Sequence, residues 1–244
     1  MIPIKEGLEE NSIIILPPQD VLITLNSIRI PVTTTILDPW YNKGVGGTRD
    51  DYIEWLNSVI QASSLISDHI FVWGFPEIIH EVLNYLPDGF ELIAWLTWYF
   101  KNCPTVNRGW RPAQNTCLHL AKPSAKLYPE HFFNEKHLEK QKQGKLRYIP
   151  APTSVIHVPL LIGFVGKNEQ IGKPSKTAQK PLKVFEPLIK MTTREGDLVL
   201  DPMCGTGTTG EICRNLGRHA ILSDHNEERI LDTEKRLGIK RLDF

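Results

Sequence analysis

The chain has 244 residues, 41% hydrophobic and 23% charged, which fits one α/β unit with a sizeable core spanning residues 1–244 and excludes a fibrous or low-complexity polypeptide. No apolar run reaches the roughly 20 residues of a membrane span, and the charged start MIPIKEGLEE lacks the apolar core of a signal peptide, so a cytoplasmic protein with no membrane partner is expected. The 28 Lys and Arg balance the 28 Asp and Glu, but residues 101–190 hold 16 of the basic residues against 5 acidic ones, and such clustering points to a polyanion-binding face.

Apolar, β-branched runs bounded by turn residues predict strands at Ser12–Leu16, Thr33–Leu37, Ile70–Trp73, Leu92–Thr97, Cys117–Leu120, Leu198–Leu200 and Ala220–Ser223. Helical periodicity falls between them: Ile53, Leu56 and Ile60 within Asp51–Ser64, then Glu77–Leu86, Pro181–Met191 and Thr208–Leu216. Strands alternating with helices imply βαβ units and a doubly wound, mostly parallel sheet.

The second strand runs into Asp38-Pro39-Trp40-Tyr41 and then a Gly-rich loop. Ligands of open α/β sheets sit at the carboxyl ends of strands. An aromatic amine has its lone pair delocalised into the ring, so a carboxylate and a carbonyl accepting its two N–H bonds would hold it ready to attack a methyl group. Asp38 and the Pro39 carbonyl could be that pair, with Trp40 and Tyr41 offering faces on which an unstacked base can rest. The alternative is a strand-ending turn with an aromatic plug.

Residues Ala121–Ile149 break the βα rhythm. They are polar and Lys-rich, with EKHLEKQKQGK readable as an exposed helix ending at Gly144. Lys136, Lys140, Lys142, Lys145 and Arg147 in this stretch are the expected DNA-phosphate contacts, if it is more than a solvated surface.

Near the C-terminus, Gly196–Gly210 reads GDLVLDPMCGTGTTG: turn, buried strand, acid, glycine loop, helix. Glycines at this junction let backbone N–H groups approach a ligand closely. Gly205-Thr206-Gly207 lacks the third glycine of a dinucleotide fingerprint and has no P-loop lysine. Asp224 ends the next strand, where ribose hydroxyls are read in such folds. An adenosine-containing ligand is expected, although a plain strand–turn–helix junction could look the same. The four cysteines show no CxxC pair and no metal-like spacing with histidine, so no metal site is expected.

Taken together, these motifs resemble the amino-methyltransferases of DNA. Asp38-Pro39-Trp40-Tyr41 matches their D/N/S-P-P-Y/F/W catalytic motif, and Leu200–Thr209 matches LDPFxGSGTT. Lys176-Thr177-Ala178-Gln179-Lys180-Pro181 is similar to the HPTQKP-like segment that precedes that loop, and Gly217-Arg218 with Asp224 follows the family pattern after it. The order of catalytic motif first and donor loop last is that of the β class, which places target recognition between the halves, where Ala121–Ile149 lies. The resemblance implies the seven-stranded-type sheet of S-adenosylmethionine-dependent methyltransferases with a small inserted recognition region. It implies a donor site at Thr177, Lys180, Asp201, Gly205, Gly207 and Asp224, the first two near the methionine end, and Asp224 on the ribose. It implies a target-amine pocket at Asp38, Pro39 and Tyr41, with Phe71-Val72-Trp73-Gly74 as a strand beside it.

Three departures stand out. Trp40 replaces the second proline, Lys176 and Ala178 replace the His and Thr of the KP segment, and the recognition region is short. A short region points to a short target, a homodimer, or a partner that supplies specificity, such as a cognate restriction endonuclease. Asp at the first motif position leans toward adenine N6 in double-stranded DNA, with cytosine N4 the alternative. Methylation at cytosine C5 fits poorly, because its nucleophilic Cys usually follows a proline whereas Cys103 precedes Pro104. From other classes, a catalytically silent DNA-binding module or a methyltransferase of RNA or protein would share the fold.

Overall fold

The computed structural model describes residues 12–43, 47–106, 109–171 and 178–243. Its strands are β1 (Ile13–Ile15), β2 (Val32–Leu37), β3 (Ser67–Gly74), β4 (Glu91–Tyr99), β5 (Gln114–Ala121), β6 (Val155–His157), β7 (Leu198–Asp201) and β8 (His219–Leu222). They form one sheet in the order β1-β8-β7-β2-β3-β5-β4-β6. Only β5 runs against its neighbours, pairing antiparallel with β3 and β4. All seven expected strands are present, and β6 is an eighth, paired parallel to β4. Three residues of mixed exposure carry too little periodicity to be read from sequence.

The helices are α1 (Val21–Ser27), α2 (Tyr52–Ser64), α3 (Pro76–Ile79), α4 (Glu135–Lys142), α5 (Leu182–Thr192), α6 (Thr208–Leu216) and α7 (Glu227–Leu237). The helix expected over Glu77–Leu86 is instead one turn of α3 followed by a 3₁₀ stretch, His80–Tyr85. The short α1 begins where Asp20 accepts the backbone N–H of Leu22 at 2.8 Å, a side-chain cap.

The central strands are buried on both faces, as parallel strands between helix layers must be. Their side chains alternate between two cores. Leu37, Val72 and Leu200 face Leu25, Tyr52, Leu56 and Ile60 of α1 and α2. Ile36, Phe71, Trp73, Val199 and Leu222 face Val184, Phe185, Leu188, Ile212 and Ile230 of α5, α6 and α7. Buried hydroxyls tie the layers as well: Thr34 of β2 donates to Thr192 of α5 at 2.8 Å.

Gly210 permits the close approach of α6 to this second core. A Cβ there would lie 2.5 Å from Leu222 Cδ1 and 2.8 Å from Leu237 Cδ1, and both leucines are buried. Gly210→Ala should therefore destabilise the fold by about 1–3 kcal/mol through overpacking, read as a lower urea midpoint. An unchanged midpoint would mean the two leucines can move aside.

Candidate active site

β2 and β7 are neighbours, with Thr34 opposite Val199 and Thr35 opposite Leu200. From β2 the chain proceeds to β3 on one side, and from β7 to β8 on the other. A crevice opens where winding reverses in this way. Here it is a cleft of about 930 Å³ lined by Asp38, Pro39, Trp40 and Tyr41 after β2 and by Asp201 through Thr206 after β7. Both sequence motifs thus meet in one cavity.

Asp38 is held from two directions. Lys180 Nζ lies 2.8 Å from its Oδ1 and 2.7 Å from its Oδ2, and the Tyr41 hydroxyl donates to Oδ1 at 2.9 Å. Burial, and then the Asp38 charge, push the Tyr41 phenol well above its usual value, so it remains a neutral donor. The Lys180 ammonium also lies 5.0 Å from the centre of the Tyr41 ring and 6.0 Å from the rings of Trp73 and Trp98. Tyr52 donates to the Trp40 carbonyl at 2.7 Å, while no donor among the described residues is bonded to the Pro39 carbonyl.

On the β7 side, Asp201 is the keystone of the glycine loop. Its Oδ2 accepts the Thr209 hydroxyl at 2.5 Å and its Oδ1 the Met203 N–H at 3.2 Å. Burial, with Asp38 and Asp224 nearby, pushes its carboxyl up to about 7 against those hydrogen bonds. Asp224, at the end of β8, accepts Gly205 N–H at 3.0 Å and Asn226 N–H at 2.9 Å. Gly205 and Gly207 have φ of 54° and 76°, where glycine is favoured. A Cβ on Gly205 would meet no atom within 4 Å, so the loop presents bare backbone where it lines the cleft. Gln19, another wall residue, buries its Nε2 without a partner among the described residues.

The family model described as "DNA methylase", for the N6/N4 methyltransferases, matches residues 32–235. The chain belongs to that family.

Among relatives of this DNA methylase, Type II methyltransferase M.HpaI of Haemophilus parainfluenzae is 29% identical over 231 residues, covering 87% of this chain and 68% of that protein. Type II methyltransferase M.HinfI of Haemophilus influenzae is 31% identical over 125 residues, 51% of this chain and 33% of its own length. Among solved structures, the M1.HpyAVI–SAM complex has a TM-score of 0.70 at 22% identity, covering 93% of this chain and 100% of that one. The PvuII DNA methyltransferase, cytosine-N4-specific, reaches 0.70 at 16% identity, covering 97% and 90%. At such identities the structures show a shared fold. Membership makes the chain an S-adenosylmethionine-dependent DNA amino-methyltransferase, and the cleft fits that donor. It offers bare glycine backbone, the Asp224 carboxylate after β8 and, among the described residues, an unpartnered buried amide donor.

The structure brings most of the expected site residues of this methylase together. Asp38, Pro39, Trp40, Tyr41, Lys180, Asp201, Gly205 and Asp224 all line the cleft. Gly207 caps α6 just behind it, its Cα side against Thr233. Thr177, with Lys176, lies outside the described residues. Trp40 packs on Tyr52 and Trp55, centroids 5.4 and 4.8 Å away. It thus forms a wall braced by α2. Trp73, Phe71 and Val72 are fully buried, so β3 supports the pocket from beneath.

The basic stretch is placed differently. Lys136, Lys140, Lys142, Lys145 and Arg147 are exposed. None of the five lines the cleft. The segment leaves the sheet at Ala121, opposite His69 near the amino end of β3. It is pinned there by Tyr128 N–H to the Met191 carbonyl at 2.8 Å, at the far end of α5. It returns to the cleft edge through β6.

Sequence reasoning missed Gln19, Trp55, Phe75, Trp98 and Asn115 as cleft residues. None belongs to a motif, and only the strand order carries them there. It also missed the pairing of Lys180 with Asp38, which are 142 positions apart.

Asp201 has a measurable consequence. Its carboxyl titrates near 7 in the fold against about 3.9 in an unfolded chain. The folded state therefore binds this proton more tightly, and the stability it contributes falls as pH rises from about 4 to about 7. The neutral isostere Asp201→Asn lacks that fall. Its stability relative to the parent protein should climb across that window and level off above it, read by urea unfolding at successive pH values. A difference that stays flat would show a carboxylate that is ionised throughout.

Proposed function

We propose that this methyltransferase acts on the N6 amine of adenine in double-stranded DNA, flipping the base into the aromatic end of the cleft. One observation carries the reading: two acceptors, the Asp38 carboxylate and the unclaimed Pro39 carbonyl, sit beside the glycine loop of the neighbouring strand in one cavity. When bound, S-adenosylmethionine supplies an electrophilic methyl carbon. The chain's own part is placement. Asp38 and Pro39 each accept one N–H of the target amine, which turns its lone pair toward the donor site, and Asp38 can take up the proton released. Tyr41 and Phe75, in edge contact at 5.0 Å, and Trp40 shape the wall around the ring. Holding the amine in line is worth far more than any single contact.

The donor falls to Asp201, Gly205, Gly207 and Asp224, and its place in the cleft wall supports adding Gln19; Thr177 joins them on resemblance. Asp224 already accepts two backbone N–H bonds, so its ribose contact uses a remaining lone pair. Adenine is preferred because Asp38 opens the motif. Cytosine N4 presents the same amine, and the PvuII neighbour is by its name cytosine-N4-specific. A cognate restriction endonuclease fits the Type II names of the relatives.

The deciding experiment incubates the protein and Asp38→Ala with S-adenosylmethionine and unmethylated genomic DNA, digests to nucleosides and weighs them. N6-methyladenine from the parent alone is expected. N4-methylcytosine would keep the mechanism and change the base, and an active Asp38→Ala would remove Asp38 from the chemistry.

Docking can be tested separately. Each phosphate contact adds about 0.9 to the slope of log affinity against log salt. Replacing Lys140, Lys142 and Lys145 with Gln should lower that slope by about 2–3 in a salt-titrated binding assay. An unaltered slope would assign the phosphates to the cleft edge instead.

A further inference from the structure

The geometry points to Lys180 as the positioning residue for Asp38, an inference that rests on Asp38 being the acceptor for the target amine. The two side chains are only 8% and 16% exposed. A buried pair of this kind repays little stability for its desolvation, so its function is better sought in what it arranges.

A carboxylate offers about four acceptor sites. Lys180 takes one on each oxygen of Asp38, and Tyr41 takes a second on Oδ1. Among the described residues, one site on Oδ2 remains open. The target amine has two N–H bonds, and the Pro39 carbonyl receives the other. Lys180 therefore fixes the plane of the carboxylate and leaves it a single open direction.

Lys180 is itself fixed. Its ammonium is caged by the faces of Tyr41, Trp73 and Trp98. Its carbonyl accepts the Thr208 hydroxyl at 3.0 Å, on the first residue of α6 where the glycine loop ends. One residue thus links the loop that follows β7 to the carboxylate that follows β2. A shift of the donor side moves Lys180, and Lys180 moves the acceptor with it.

The test compares Lys180→Met, Lys180→Gln, Lys180→Arg, Asp38→Asn and the double variant Lys180→Met/Asp38→Asn. Three quantities are read: the single-turnover methyl-transfer rate, the KM for DNA, and the Kd for S-adenosylmethionine by calorimetry. Misplacing a reacting group by about 1 Å costs on the order of 100-fold. Lys180→Met should lose about that much in rate, with KM and Kd within about threefold of the parent, the pattern of an interaction felt only in the transition state. Lys180→Arg should recover part of the loss, and the double variant should be no slower than Asp38→Asn. If Lys180→Met does not fold, as judged by its urea midpoint, Lys180→Gln carries the same expectation.

A rate within about threefold of the parent in Met or Gln would overturn the inference, with Asp38→Asn inactive showing that the acceptor reading survives. A Kd that rises in step with the lost rate would also overturn it, by assigning Lys180 to the donor. Full activity in Asp38→Asn would sink the acceptor reading itself, and this inference with it.

Discussion

Everything at the site depends on β2 and β7 lying side by side while the chain winds away from them in opposite directions. That adjacency turns two distant sequence motifs into the two walls of one cavity. It also forces carboxylates together: Asp38 after β2, Asp201 at the end of β7 and Asp224 after β8 converge within the same cleft. The mutual crowding is visible in Asp201, pushed up by burial and by its two acidic neighbours. Each acid is answered locally. Asp38 has Lys180 and Tyr41, Asp201 has Thr209 and a backbone N–H, and Asp224 has two backbone N–H groups. The three answers give three different tasks to the same functional group. Asp201 braces a loop, Asp224 braces it from the other side while facing the cleft, and Asp38 keeps an open valence.

The glycine loop shows how the bracing shapes the ligand surface. Positive φ at Gly205 and Gly207 lets the chain turn sharply from β7 into α6. The turn leaves backbone exposed to the cleft on one side while Thr209 and Thr233 hold it from behind. The β7 end of the cleft is therefore mostly main chain, and the β2 end mostly aromatic side chains packed on one another.

Much of this was legible in the sequence because it is local. Val32–Leu37 and Leu198–Asp201 are short runs that stop at an acid, and the glycines after Asp201 mark a strand–turn–helix junction. Pro181 at the cap of α5 and Gly217 at the end of α6 mark their helices. What escaped is long-range or weakly periodic. Trp55 belongs to an ordinary amphipathic helix and Trp98 to a strand of mixed exposure, and only sheet order brings either to the cleft. β6 is three residues long and owes its existence to the edge of β4. Lys180 read as part of the donor segment because its sequence neighbours are. In the structure its ammonium contacts Asp38, 142 positions away, and nothing in the local pattern encodes that pairing.

The segment between Ala121 and Val155 is anchored at both ends by pairing with β3 and β4, never with β2 or β7. Its length and charge can therefore change without disturbing the register that builds the cleft. Selection, or a designer, could exchange this strap for another of different reach and leave the chemistry untouched. In such an architecture the surface carried by the strap and the reaction carried out in the cleft are free to evolve at different speeds.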